Sequence, residues 1–376
     1  MAELQQYLKT LESDPRNEAA LQGLEEVFAA GAPAGADKAL AELDRVRGVL
    51  LERGELGIVG RLFDIELATA EGERRADVLL AKGDFVLNDL LDDPGAQACF
   101  EEVLKLREND ETASDTVMQL EMEREHWQKF VQKNLDEASA STDRALTTHM
   151  YLSAAKFHGR YQADGKEAED LLRKALDADP KNRKAAITLE MLLRKGDRLV
   201  DVDQLLAERA AIAATKEERV YALLRRAELA IASFDKPDVA GAMMNQVVAM
   251  EPANPQAMTS LAAAYEAKGD WSALVELYSG ALKTRRRKSS KEEENQLLLR
   301  IARLHWQRLD QMDEAEKLFR RVRKADPLHR ETLDFYRQYY LGKGEGAKLL
   351  QVLRQAQKAV PAGAKLPPKS SICPMK

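Results

Sequence analysis

Residues 268–282 read "KGDWSALVELYSGAL", and the chain writes this phrase more than once. "KGDRLVDVDQLLAER" begins about 73 residues earlier at Lys195, and "KGEGAKLLQVLRQAQ" about 75 residues later at Lys343. A recurrence at such a period is the signature of a repeat architecture. With Gly269 as the mark, the equivalent positions are Gly196, Gly344 and Gly54, the last in "ERGELGIVGRLF". Half of the gap from Gly54 to Gly196 lands on Glu125, where Trp127, Phe130 and Val131 keep the register of Trp271, Leu274 and Val275 without the glycine. After the mark, apolar residues return at one face of a helix: Trp271, Leu274, Val275 and Tyr278, then Leu349, Leu350 and Leu353. Each marked glycine is therefore expected where a helix ends, because glycine accepts the left-handed backbone that closes a helix without steric cost. Trp271, first in its stripe, is expected to be a large contact between helices.

Two further landmarks are interleaved with the first. "DDPGAQACFEEVL" from Asp92, "DGKEAEDLLRKAL" from Asp164, "DKPDVAGAMMNQVV" from Asp235 and "DQMDEAEKLFRRV" from Asp310 each open an amphipathic stripe. "ADPKN" at 178–182, "MEPAN" at 250–254 and "ADPLH" at 325–329 set a proline after a stripe, where it cannot continue a helix, and an Asn or His two residues on that can start the next. "SDPRN" at 13–17 has the same form. The unit that recurs every 71–75 residues is thus four helices.

These spacings resemble the tetratricopeptide repeat (TPR) family. The resemblance is carried by Leu261, Ala262 and Tyr265 in "PQAMTSLAAAYEAKGD" and by Ala315, Phe319, Val322 and Pro327 in "DEAEKLFRRVRKADP". Ala168, Leu172, Ala175 and Pro180 repeat the second set, as do Ala240, Met244, Val247 and Pro252. Glu190 and Arg337 stand where the family places a small residue. The resemblance implies an all-α fold, a right-handed α–α superhelix (a TPR-like solenoid) of roughly ten helical hairpins, in which each repeat touches only its neighbours.

The array is expected over 54–360. Stripes at about 3–12, 17–29 and 37–52 make residues 1–53 an atypical amino-terminal helical cap, in which counting helices from Pro15 and back from Gly54 gives opposite parities. "VPAGAKLPPKSSICPMK" has four prolines and no apolar period, so 361–376 is expected as an extended or disordered tail.

The composition matches: 45% hydrophobic, 32% charged and only 6% aromatic residues suit helices half-exposed to water. No basic-then-apolar leader and no membrane-length apolar run is visible, which predicts a cytoplasmic chain. Cys99 and Cys373 do not form a disulfide framework; Cys99 reads as a buried thiol. The five histidines (His126, His149, His158, His305 and His329) have no second histidine at helical spacing, and "EREH" at 123–126 is a single Glu-x-x-His, so no metal is expected. "GKGEG" at 342–346 follows no strand and lacks the Lys-Ser/Thr of a phosphate loop, which leaves a repeat turn. No nucleophile motif is present, so no catalytic residues and no cofactor are assigned, and the chain is not expected to be an enzyme.

"KTRRRKSSKEEE" at 283–294 has two readings. One is a contact for an acidic partner with Ser289 and Ser290 as phosphorylation targets. The other, preferred, is a turn whose positive end closes one helix while Glu292–Glu294 begin the next. The net charge of −6 argues against a general nucleic-acid binder.

If the family's geometry holds, outward positions on the first helix of each hairpin line a groove: Gln256, Thr259, Ala263 and Glu266; Tyr221, Leu224, Glu228 and Ile231; and Gln296, Leu299, Arg303 and Trp306. Mixed aromatic, aliphatic and charged linings suit a protein or peptide partner. Leu224 and Trp306 have a competing reading as packing between repeats. The expected function is a protein–protein interaction scaffold or adaptor, the alternative a regulatory sensor binding a small ligand or signalling peptide. Residues 1–125 carry a net charge of about −16 and residues 281–376 about +12, which predicts salt-sensitive head-to-tail association or recruitment of oppositely charged partners.

Overall fold

The computed structural model describes residues 2–30, 36–162, 165–285 and 291–359. Asp164, Ser289, Ser290, Cys373 and the tail at 361–376 lie outside the described residues. Among those described there are nineteen α-helices and no strand. The chain forms two compact units, 1–246 and 247–376.

The first unit contains α1 (Ala2–Ser13), α2 (Glu18–Ala29), α3 (Ala36–Arg53), α4 (Leu56–Leu67), α5 (Gly72–Asn88) and α6 (Asp93–Leu106). It continues through α7 (Glu111–Ala140), α8 (Arg144–Tyr161), α9 (Lys166–Ala178), α10 (Arg183–Lys195), α11 (Leu199–Ile212) and α12 (Lys216–Ala232) into α13 (Pro237–Met250). Apolar faces of α1–α6 share one core around Leu8, Leu21, Leu50, Leu62, Val78 and Phe100. A second core joins α7–α12 around Val131, Leu172, Leu189 and Leu206. The second unit holds α14 (Pro255–Lys268), α15 (Trp271–Arg285), α16 (Lys291–Gln307), α17 (Met312–Ala325), α18 (Arg330–Gly342) and α19 (Gly346–Ala359). Its core over α16–α19 centres on Phe319, Phe335 and Tyr336, all fully buried.

The three landmarks become three kinds of joint. After each proline, an Asn or His accepts from a backbone amide in the helix it opens: Asn17 from Ala20, Asn182 from Ala185, Asn254 from Ala257 and His329 from Thr332. Asp110 does the same for Ala113 at the start of α7, with no proline before it. At the Asp landmarks the chain reverses through one left-handed residue, Leu91, Asp235 or Asp310. The next amide then reaches back six residues: Asp92 to Val86, Lys236 to Ala230 and Gln311 to His305, at 3.1, 2.7 and 2.7 Å. At the glycine marks, Gly54, Gly269 and Gly344 take φ of 79°, 69° and 69°. Gly196 does not; Asp197 is left-handed instead, because α10 has one residue fewer between its Asn182 cap and its glycine than α14 has after Asn254.

Four expectations are corrected. Trp271 is only half-buried, its ring lying under the Arg308 guanidinium at 4.7 Å, and Leu274, Leu277 and Ala281 carry the buried stripe instead. Cys99 is half-buried, and burial raises its thiol pKa. At the vanished glycine the chain does not turn. Helix α7 runs through it for 30 residues, with a kink of φ −127°, ψ 15° at His126. Repeats also touch beyond their neighbours in the first unit, where Arg183 donates to the Glu52 carbonyl and Ile187 lies against Gly54.

The parity conflict near the amino terminus has a simple cause. Between the Asn17 cap and Gly54 lie two helices, α2 and α3, where the other copies have one. Helix α1 packs on both. Elsewhere Glu292, Glu293 and Glu294 fill the first turn of α16, while 286–290 of the charged run lie outside the described residues; of the 342–346 glycines, Gly342 ends α18, Gly344 lies in the turn and Gly346 begins α19.

Candidate functional site

In the second unit α15 packs against both α14 and α16, the chain turning at Gly269 between α14 and α15. They leave an open groove of about 510 Å³. One wall is Thr259, Ala263 and Glu266 of α14, the other Glu293, Gln296 and Arg300 of α16, and Tyr278 of α15 lies at its base. Arg300 sits 5.7 Å from the centre of the Tyr278 ring, which places a cation beside an aromatic face. The Thr259 hydroxyl donates to the Pro255 carbonyl at 2.9 Å, as hydroxyls on helices do. The arrangement offers hydrogen-bond donors and acceptors of both charge signs over an apolar floor. No convergence of metal ligands is found among the described residues.

Of the eight residues nominated from sequence, the groove brings together Thr259, Glu266 and Gln296. Gln256 lies half-buried at the start of α14. Arg303 is engaged by the Glu331 carboxylate of α18 at 2.5 Å. Trp306 stands edge-on to Phe319 and Phe335, with centroids at 6.0 and 5.6 Å, and its Nε1 donates to Gln338. Sequence counting along single helices missed Arg300, Glu293 and Tyr278. Tyr278 was visible as a stripe residue, but its place under the groove depends on how three helices stack.

Tyr221 and Glu228 belong to a different setting, in the first unit. There the start of α2 and the turn between α3 and α4 meet α10 and α12 around a cavity of about 420 Å³. Arg16 reaches Glu228 at 2.5 Å and Glu55 at 3.8 Å. Buried Arg225 lies 3.4 Å from Glu190, 3.5 Å from Glu228 and 3.6 Å from Glu55, and Arg194 pairs with Glu190 at 2.8 Å. The contacts to Glu55 are too long for hydrogen bonds. Burial, opposed by Arg16 and Arg194 but reinforced by Glu228 and Glu190, therefore holds the Glu55 carboxyl up at about 7. Burial also raises the Tyr221 hydroxyl, which finds no hydrogen-bond partner among the described residues, and lowers Arg209. This polar cluster ties segments more than 130 residues apart.

A third cavity, of about 280 Å³, lies among α5, α7, α8 and α10. Arg160 donates there to Glu123 and to the Leu87 carbonyl, both at 3.1 Å, so the Glu-x-x-His glutamate is in an ion pair. Burial lowers Lys156 and raises Asp89 beside it.

No known protein-family profile matches the chain, and no curated protein does. Solved structures similar to it include the APC/C hetero-tetramer Cut9–Hcn1, with 12% identity over 93% of this chain and 71% of that one, and a TM-score of 0.26. The P58(IPK) TPR domain has 17% identity over 81% and 93%, with a TM-score of 0.22. Yeast Tom70 has 12% identity over 96% and 92%, with a TM-score of 0.24. Overlaps this low carry no weight, so the assignment stands on the chain's own caps, turns and stripes. The fold is an all-α helical repeat. Ala168, Leu172 and Ala175, then Ala315, Phe319 and Val322, are buried at the spacing on which the repeat was recognised. Among the described residues no helix is long and apolar enough to cross a membrane.

Proposed function

We propose that the chain is a protein-interaction scaffold or adaptor that holds a partner protein or peptide in the groove between α14 and α16. The supporting observation is the groove itself: an apolar floor with Thr259, Glu266, Gln296 and Arg300 on facing walls. An extended segment or helix seated there would satisfy those groups while covering Tyr278. In this reading residues 1–53 cap the array, residues 54–360 form it, and the protein works in the cytoplasm without catalysis.

The test is capture from cell extract by the full chain and by a Glu266→Arg, Gln296→Arg variant. A stoichiometric protein retained by the first and lost by the second supports the reading. A small ligand bound with no protein partner would sink it.

The charge asymmetry adds a second element, that molecules associate head to tail or recruit oppositely charged partners through exposed contacts. Such contacts weaken as the Debye length falls from about 10 Å at 0.1 M salt to about 3 Å at 1 M. Sedimentation across that range should show a concentration-dependent species that salt dissolves. A monomer throughout removes the self-association arm.

A further inference from the structure

Counting each first helix from its cap aligns Asp110 of α7 with Asn182, Asn254 and His329. Fifteen residues on, Asp197, Gly269 and Gly344 are left-handed and the chain turns back, so that α11, α15 and α19 return along α10, α14 and α18. The equivalent residue in α7 is Glu125, where the chain kinks at the following His126 but stays helical to Ala140. The amino-terminal half of α7 therefore lacks the returning helix that its copies possess. Eight residues from the cap, Glu190 of α10 is buried, Ala262 of α14 half-buried and Arg337 of α18 exposed, and in α7 the position holds an apolar side chain, Met118, that is 61% exposed. One turn further, Met122 is 52% exposed. Among the described residues these are the one pair of exposed large apolar side chains at i, i+4 spacing on a helix.

The two methionines do not stand alone. Glu111, Asp115, Met118, Met122 and Glu125 follow one another at steps of four and three, which puts them on one face, and all five are exposed. No ion pair engages Glu111, Asp115 or Glu125 among the described residues, and Arg124, next to Glu125 in sequence, is paired with Asp93. The face is thus two soft, adaptable thioethers bracketed by three carboxylates over about 21 Å of helix.

We infer that this uncovered face of α7 is a docking surface for a basic amphipathic helix of a partner protein. The partner would present two large apolar side chains one turn apart, flanked by Lys or Arg. Apolar contact removes Met118 and Met122 from water. Charge complementarity fixes the partner's sign and orientation. The surface is separate from the groove of α14 and α16, and neither depends on the other.

The test uses the full chain with ¹³C-labelled methionine methyls, the two resonances being assigned through Met118→Leu and Met122→Leu. The probe is a capped helical peptide of about 18 residues, with leucines one turn apart among lysines and arginines, and its twin carries glutamates in place of the basic residues. The basic peptide should shift both methyls with a Kd of about tens of micromolar at 0.1 M salt, weakening severalfold at 0.5 M. By anisotropy, Met118→Ser, Met122→Ser should weaken binding about tenfold or more, and Asp115→Asn, Glu125→Gln should flatten the salt dependence. Three results would overturn the inference: neither methyl shifts at millimolar peptide, both peptides act alike, or the methyls shift with protein concentration alone, which would give the face to a second copy.

Discussion

Helices α7 and α14 begin alike and end differently. Each opens on a side-chain cap to its third residue, and each carries a buried alanine there, Ala113 or Ala257. Fifteen residues beyond the cap, α14 has reached Gly269 at φ 69° and turned, while α7 has Glu125 and runs on to Ala140. The apolar register after the joint is the same in both. The comparison separates two properties that a repeat usually delivers together: the stripe decides which face is buried, and one left-handed residue decides whether the chain comes back.

The sharpest way to break that comparison is to truncate core residues on both sides. Phe335, fully buried in the hairpin that closes at Gly344, stacks on Phe319 at 4.4 Å, so Phe335→Ala should cost about 3–5 kcal/mol. Hydrogen exchange should loosen first within α16–α19. Uniform loosening of both units would contradict local cooperativity.

The turn at Gly54 belongs with the closed joints but is covered by α10 and α12, and pH reports on that cover. Burial, with Glu228 and Glu190 reinforcing it and Arg16 and Arg194 opposing it, lifts Glu55 from the usual carboxylate value to about 7. A group raised on folding keeps a proton that the unfolded chain releases. Its contribution is therefore full below about pH 4.5 and is lost as pH rises through about 7. Glu55→Gln should leave stability unchanged at pH 4.5 and raise it by on the order of 1–3 kcal/mol at pH 8. Equal effects at both pH values in denaturant melts would show that Glu55 is solvated.

Smaller effects belong to the joint residues. Gly269→Ala forces a side chain into the left-handed region and should cost about 1 kcal/mol, whereas Glu125→Ala, at the equivalent but helical position of α7, should cost nothing measurable. Matching losses in thermal melts would mean that α7 does turn. Least of all should be Met118→Ala, within about 0.5 kcal/mol because the side chain is exposed. A loss of about 2 kcal/mol would show that some element of the chain covers it.

Much of this was legible beforehand because it is local. Asn17, Asn182, Asn254 and His329 cap as their proline motifs imply, and three of four marked glycines are left-handed. The exception, Gly196, shows the limit of alignment by a glyphic match: the geometry counts from the cap, and the count selects Asp197. Half of the groove was legible for the same reason, since Thr259, Glu266 and Gln296 are fixed by helix phase. Arg300 and Tyr278 were not, because their places follow from the stacking of successive helices. The cluster of Arg16, Glu55 and Arg225 was the least legible. It arises where the small rotations of many repeats accumulate until distant segments meet, and no single repeat encodes that sum.

Helix α7 also has a mechanical side. An array of hairpins yields at its joints, since two helices linked by a short turn can slide past each other. A rod of 30 residues, about 45 Å at 1.5 Å per residue, removes one joint and leaves a single soft point at His126. Bending between α6 and α8 is then concentrated at that residue and at the short links 107–110 and 141–143, so force applied to one end of α7 is delivered to the other rather than absorbed on the way.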